Sequence, residues 1–422
     1  MSKKLLPCSE ERLIEFANQV PTPFHLYDEK AIREHARKFK QTFSWVPSFT
    51  NYFAVKACPN PTILRIMREE GFGTDCSSMA ELELARRCGF VGEQIMFTSN
   101  DTPDDEFIKA KELNAVMNLD DITHIDALER VAGMSELISF RYNPGPDRTG
   151  NAIIGNPVEA KYGVTTDQLI DCYVKARNLG ARRFALHTMV ASNELEGDYI
   201  VETARMLFTQ ALRIYRETGI KLEFVNLGGG IGIPYRLDQE PMDLQAVSAS
   251  IRRLYETMIV PAGLAPLNIV FECGRMITGP FGYLVSKVRH VTQKYKEYVG
   301  LDACMANLMR PALYGAYHHI TALGKQGLPH EHVYDVTGSL CENNDKFAID
   351  RSLPPLERGD VVVIHDAGAH GYSMGFNYNG KLRSAEYLLT ADGQFTLIRR
   401  AETLADYFAT MDVDEEFSKT GD

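Results

Sequence analysis

Over the first 280 residues, short apolar runs alternate with longer segments whose apolar positions recur at helical spacing. The runs fall at Phe49 to Lys56, Phe72 to Cys76, Ile95 to Thr98, Ala115 to Leu119, Leu137 to Tyr142, Phe184 to Val190, Leu222 to Leu227 and Asn268 to Glu272. Their strand propensity marks them as β-strands. Helix signals lie between them. Asn60-Pro61 sets an N-cap with proline at the first helical position of a segment stopped by Gly71. Ser78-Met-Ala-Glu81 reads as a capping box for a helix ending at Gly89, and Thr166 to Leu179 and Asp198 to Thr218 are amphipathic. Eight strands, each followed by a helix, predict a (β/α)8 TIM-like barrel over residues 31–280, with an open doubly wound sheet as the alternative.

From Gly282 onward the period changes to two. Tyr283 to Val291, Asp360 to His365, and a hairpin of Tyr387 to Thr390 and Gln394 to Ile398 around Asp392-Gly393 predict a second, β-rich domain over 281–422. The acidic tail after Asp412 reads as solvated or frayed.

Composition narrows the function classes. A chain of 422 residues, 45% hydrophobic and 24% charged, can bury a large core. Its net charge of -11 is spread without a basic run, which argues against nucleic acid or an anionic membrane as partner. No apolar stretch has signal-peptide or membrane-spanning length, so a cytoplasmic protein is expected. The eight cysteines form no Cys-x-x-Cys pair and no zinc spacing with histidine, so neither a metal site nor a disulfide framework is signalled.

Candidate chemistry gathers at the strand ends. Lys56 closes the first run; a half-desolvated ammonium there sheds its proton more readily and can form a Schiff base with an aldehyde, although a snorkelling lysine is the plainer alternative. After the seventh strand comes Gly228-Gly229-Gly230, whose backbone amides can close on an anion, and after the eighth comes Glu272-Cys-Gly274-Arg275. Phosphate in such barrels is held after strands seven and eight.

Five motifs, Phe53-Ala-Val-Lys56-Ala, Leu227-Gly-Gly-Gly-Ile, Glu272-Cys-Gly-Arg275, Leu308-Met-Arg310-Pro-Ala-Leu-Tyr314 and Gly338-Ser-Leu-Cys341-Glu342, resemble in order and spacing those of the pyridoxal-phosphate decarboxylases of the alanine-racemase-like barrel class, the diaminopimelate decarboxylase family above all. The resemblance spans nearly the whole chain. It implies pyridoxal 5'-phosphate on Lys56, its phosphate at Gly228, Gly229, Gly230, Gly274 and Arg275, and Glu272 against the pyridine nitrogen, with Asp75, Arg141 and Ser192 nearby. It further implies that residues 1–30 join the β-rich domain and that this domain forms a homodimer with shared active sites. There Cys341 from one chain serves as the acid that returns a proton to Cα in the other. For the amino-acid substrate it implies meso-diaminopimelate, converted to L-lysine and carbon dioxide, with Arg310, Tyr314, Arg275 and Tyr372 near its carboxylates and Glu342 on its ammonium.

The sequence departs from the family at three places. Met189, in Met189-Val-Ala191-Ser192, stands where the family keeps the histidine that stacks on the cofactor, and His187 matches another family histidine. His370 stands where the family has tyrosine, with Tyr372 close behind, and Asn343-Asn344 replace Ser-Gly after Cys341-Glu342. These changes bear on the substrate more than on the reaction type. Decarboxylation of a different amino acid, ornithine-like or lysine-like or with a D-like distal centre, is therefore the alternative reading, and a cofactor-binding relative without turnover is the remaining one.

Overall fold

The computed structural model describes residues 4–149 and 155–412, so the expected fraying after Asp412 lies outside the described residues. Eight parallel strands close into a barrel in chain order: Thr50–Ala54, Gly73–Cys76, Ile95–Thr98, Val116–Leu119, Leu137–Arg141, Arg183–His187, Phe224–Asn226 and Asn268–Phe271. Closure comes from pairing of the first strand with the last, Thr50 opposite Val270 and Asn51 opposite Phe271, which excludes an open sheet.

One face of each strand turns inward, and side chains two apart share it. Tyr52, Met96, Val116, Leu137, Ala185, Phe224 and Val270 pack together as an apolar floor. Two positions further along the same faces come Thr98, Asn118, Ser139, His187, Asn226 and Glu272, and Asp75 stands two after Gly73. The barrel interior is thus oily toward the strand N-termini and polar toward the C-termini, where barrel active sites lie.

The helices begin where the caps place them. Asn60 Oδ1 accepts from the Thr62 amide at the start of Pro61–Glu69, and Gly219, with φ of 74°, ends the long helix Gly197–Thr218. The expected capping box is modified: Ser78 Oγ accepts from the Glu81 amide, but the Glu81 carboxylate takes the Ser77 amide at 2.7 Å and leaves that of Ser78 aside. The first strand is also shorter than expected. It stops at Ala54, and Val55–Ala57 form a single 3-10 turn.

The chain divides into two compact units. One runs from Arg33 to Ile233 and from Pro241 to Ile277 and contains the barrel. The other contains the residues up to Ile32, Pro234–Glu240 and the chain from Thr278 on. In this second unit Phe24–Asp28 is an inner strand, antiparallel to Gly282–Gln293 on one side and parallel to Ala385–Leu389 on the other. The latter forms the hairpin with Phe395–Arg399. Its core includes Leu13, Phe16, Phe24, Leu26, Tyr283 and Val285, with Phe16 stacked on Phe395. Among the described residues no helix is long and apolar enough to cross a membrane, and no group of three metal-ligating side chains occurs.

Candidate active site

Glu272 is the centre of the polar layer. Its Oε1 accepts from Asn226 Nδ2 at 2.7 Å, and its Oε2 lies 3.0 Å from His187 Nε2. Asn226 also accepts the Gly228 amide at 2.9 Å, so one side chain ties the carboxylate to the glycine run. Behind Glu272, Asn51 clamps the backbone of Cys273, accepting its N–H at 2.8 Å and donating to its carbonyl at 3.0 Å.

Two carboxyl groups in this buried space titrate in opposite directions. Burial pushes Asp75 well above the usual carboxylate range, and the nearby Glu272 charge reinforces that against the opposing pull of Lys56 and Arg141. Burial pushes Glu272 the same way, but His187, Lys56 and the Asn226 amide outweigh it and leave Glu272 below its ordinary value. Glu272 is therefore the ionised member and Asp75 the protonated one. Asp75 Oδ1 has no hydrogen-bond partner among the described residues.

The glycine run owes its composition to close backbone packing. Gly228 and Gly230 take φ of 69° and 94°, and a Cβ on them would lie 2.3 Å from the Thr188 carbonyl oxygen and 2.5 Å from that of Ala191. A Cβ on Gly229 would meet the Glu272 carbonyl oxygen at 2.7 Å. The expectation that all three amides face an anion needs correction. Gly228 gives its N–H to Asn226, and Gly229 gives its own to Met189 Sδ at 3.3 Å. Gly274 is squeezed as well, since a Cβ there would stand 2.6 Å from that of Ala57. The Glu-x-Gly-Arg turn thus rests on the 3-10 turn that carries Lys56. Arg275 opens the short helix Arg275–Thr278, and Ser192 lies on the segment after the sixth strand.

Lys56 itself is exposed, so the half-desolvation expected of its ammonium is not present. Two residues beyond the strand, the turn carries its side chain out of the packed interior. Arg141 is buried, paired with Asp120 at 3.3 Å and lying over the Tyr162 ring at 4.1 Å. With Tyr162 and Met189 it lines a narrow cleft.

The remaining candidates belong to the second unit. Arg310 is 3% exposed; its Nη1 lies 2.9 Å from His318 Nε2, and its guanidinium carbon stands 4.4 Å from the centroid of the Tyr235 ring. His318 Nδ1 is 2.8 Å from the His365 carbonyl, which can only accept, so Nδ1 donates and Nε2 accepts from Arg310. Tyr314, four residues on, is 51% exposed, and the joint grip expected of the pair is not formed within this unit. Asp345 staples the cysteine loop by accepting the Leu340 and Met305 amides, and the loop presents Cys341 exposed, with Glu342 half-buried beside it. His370 is half-buried with φ of 55°. Tyr372 cannot replace the family tyrosine: its ring is buried between Arg383 and Arg399, 3.8 and 4.7 Å from their guanidinium carbons, with His25 against its edge.

Residues 29–279 match the model of the pyridoxal-dependent decarboxylase, pyridoxal binding domain, family. The chain belongs to the pyridoxal-dependent decarboxylases. Protein TabA of Pseudomonas amygdali pv. tabaci is 45% identical to this decarboxylase, over 94% of this chain and 92% of that protein. The diaminopimelate decarboxylase of Methanothermobacter thermautotrophicus is 34% identical over 93% of this chain and 92% of its own. The crystal structure of diaminopimelate decarboxylase from M. jannaschii in complex with L-lysine superposes with a TM-score of 0.88 at 29% identity, covering 95% of this chain and 94% of that one.

The cofactor of the decarboxylase is pyridoxal phosphate, and the residues present suit it. They include an exposed amine on Lys56, an ionised carboxylate on Glu272, a protonated Asp75 with an unpartnered buried oxygen, and a tight glycine turn. Sequence reasoning missed Asn51, Asn226 and the contact of His187 with Glu272. For Asn226, His187 and Glu272 the signal was the two-residue step from an apolar floor position; Asn51, next to the floor residue Tyr52, carried none.

Proposed function

We propose that this decarboxylase converts meso-diaminopimelate to L-lysine and carbon dioxide, as a step of lysine biosynthesis, working as a cytoplasmic homodimer. Arg310 carries the reading. A buried guanidinium fixed by a histidine nitrogen and an aromatic face is a receptor for a carboxylate, and meso-diaminopimelate has a distal carboxylate that lysine and ornithine lack. The relatives named diaminopimelate decarboxylase support the same substrate.

Bound pyridoxal phosphate supplies an electron sink for the pair left at Cα when carbon dioxide departs. Lys56 is the amine that tethers its aldehyde. Glu272 keeps the ring nitrogen protonated, a task for an ionised carboxylate. Of the glycine run the Gly230 amide, with Gly274, Arg275 and Ser192, would hold the phosphate; Met189 would cover the ring, and Asp75, Arg141 and His370 would frame it. Tyr314 and Glu342 complete the grip on the distal carboxylate and ammonium. Cys341 of one chain protonates Cα in the barrel of the other, a role for which an exposed thiol on a stapled loop is suited.

Met189 favours a second reading, decarboxylation of a different amino acid, because a thioether engaged by the Gly229 amide offers a substrate no hydrogen-bond donor. Carbon dioxide release by the cofactor-loaded protein from diaminopimelate stereoisomers, lysine, ornithine and arginine separates the readings. Turnover of meso-diaminopimelate well above the others is expected. Preference for another acid removes the substrate assignment, and release from none of them returns the chain to a binding role.

A further inference from the structure

A chain of buried polar groups crosses the barrel and ends on Glu272, and the chemistry above leaves its far end unused. Thr98, Asn118 and His187 stand on the third, fourth and sixth strands, and Glu272 directly follows the eighth. Asn118 Nδ2 lies 3.0 Å from Thr98 Oγ1 and 2.7 Å from His187 Nδ1, so the two hydrogens of one amide serve both neighbours. Turning the amide over would leave two buried donors without partners in place of the one buried acceptor, Asn118 Oδ1, that is unpartnered now. Nδ1 is therefore the acceptor of the ring, and its proton sits on Nε2, 3.0 Å from Glu272 Oε2. That contact is short but bent from the line of an ideal hydrogen bond, and Nε2 has no other acceptor among the described residues. His187 is 1% exposed, so water does not compete for the position. Besides His187, the titratable groups that bear on Glu272 are Lys56 and the neighbouring carboxyl of Asp75.

We propose that Asn118 and His187 are positioning residues for Glu272: Asn118 fixes His187 as the neutral tautomer protonated at Nε2, and that N–H holds the Glu272 carboxylate ionised and oriented toward the cofactor ring nitrogen. The inference rests on the reading of Glu272 as the partner of that nitrogen. It explains why a histidine with no substrate to touch is buried beneath the site, and why an asparagine stands behind it. An aspartate at 118 would accept a proton-bearing Nδ1, turn the ring into an imidazolium and draw charge away from the ring nitrogen.

Nitrogen-15 NMR of histidine-labelled, cofactor-loaded protein tests this directly, with His187 assigned by its disappearance in His187→Gln. The expected pattern is that of a neutral ring protonated at Nε2, changing in Asn118→Asp to that of a doubly protonated ring at the same pH. A wild-type ring protonated at Nδ1, or doubly protonated, overturns the proposal. Cofactor dissociation constants supply the second arm. His187→Leu is expected to weaken binding about tenfold or more, and His187→Gln, which keeps an N–H donor, to recover most of that loss. Binding unchanged in His187→Leu but weakened in Glu272→Gln overturns the role of His187 and spares the reading of Glu272. Binding and absorption unchanged in Glu272→Gln overturn that reading, and the proposal with it. The wild-type spectrum needs no substitution, so a variant that fails to fold does not shield the tautomer assignment.

Discussion

Replacing Arg310 with alanine should damage turnover of a substrate with a distal carboxylate and spare one without it. The guanidinium is 3% exposed, donates to His318 at 2.9 Å and faces the Tyr235 ring, so no water is at hand to solvate the carboxylate that its removal would orphan. Truncating one partner of a buried charged pair costs about 2 to 5 kcal/mol, which is roughly a 30- to 5,000-fold loss in kcat/KM. The near-complete burial places the expectation at about a hundredfold or more. Arg310→Lys keeps the charge but loses the planar fork and the stacking surface, so it should recover only part of the loss. The assay is kcat/KM on meso-diaminopimelate and on lysine, in parallel with cofactor affinity and a urea midpoint. A loss confined to diaminopimelate supports the distal grip. A variant within about threefold of wild type on diaminopimelate refutes the receptor, and an equal loss on both substrates reduces Arg310 to a folding role.

Borohydride reduction of the loaded protein should fix the cofactor to Lys56, as peptide mapping would show, and a label on any other lysine would displace Lys56 from its role. Lys56→Ala and Cys341→Ala should each be nearly inactive, yet exchange of subunits between equal amounts should restore about a quarter of wild-type activity, since half the dimers are mixed and each has one intact site. No recovery, with exchange demonstrated by differently tagged subunits, would place the cysteine in its own chain's site or remove it from catalysis. His25 is held down to about 4, chiefly by burial, while its unfolded counterpart titrates near 6.5, so it costs the folded state stability as pH falls through that interval. Between pH 7 and 4 the stability of His25→Gln relative to wild type should therefore rise by about 3 kcal/mol in urea titrations, and a constant difference would show that His25 is not buried neutral.

Much of the barrel could be read from the chain because its strands are buried and apolar, and because Asn60, Gly71, Ser78 and Gly89 punctuate the intervening helices locally. Lys56, Glu272 and the glycine run were visible for a related reason, as chemistry placed at strand ends. What could not be read is set by geometry that no local pattern encodes. One turn of 3-10 helix decides that Lys56 is exposed, and Arg383 and Arg399 decide that Tyr372 is enclosed. Asn51, Asn118, His187 and Asn226 each look like an ordinary polar residue in a strand. Asn118, His187 and Asn226 matter because the barrel turns them toward one another, and only the inward face, counted in twos from the apolar floor, marks them out, while Asn51 acts from the other face on the backbone of Cys273.

The side chain of Asn51 reaches across 222 residues of sequence to hold Cys273. It reinforces the seam at which the sheet meets itself, and Lys56 and Glu272 stand on either side of that seam. During synthesis the seam cannot exist until the last strand has left the ribosome, because its two edges lie at opposite ends of the barrel sequence. A partly made chain can hold most of its strand pairs and still have no site. The same holds in reverse under mild denaturant: a seam that parts would separate the lysine from the carboxylate while the other strand pairs remain. The ability to capture cofactor should then vanish before the helical signal does.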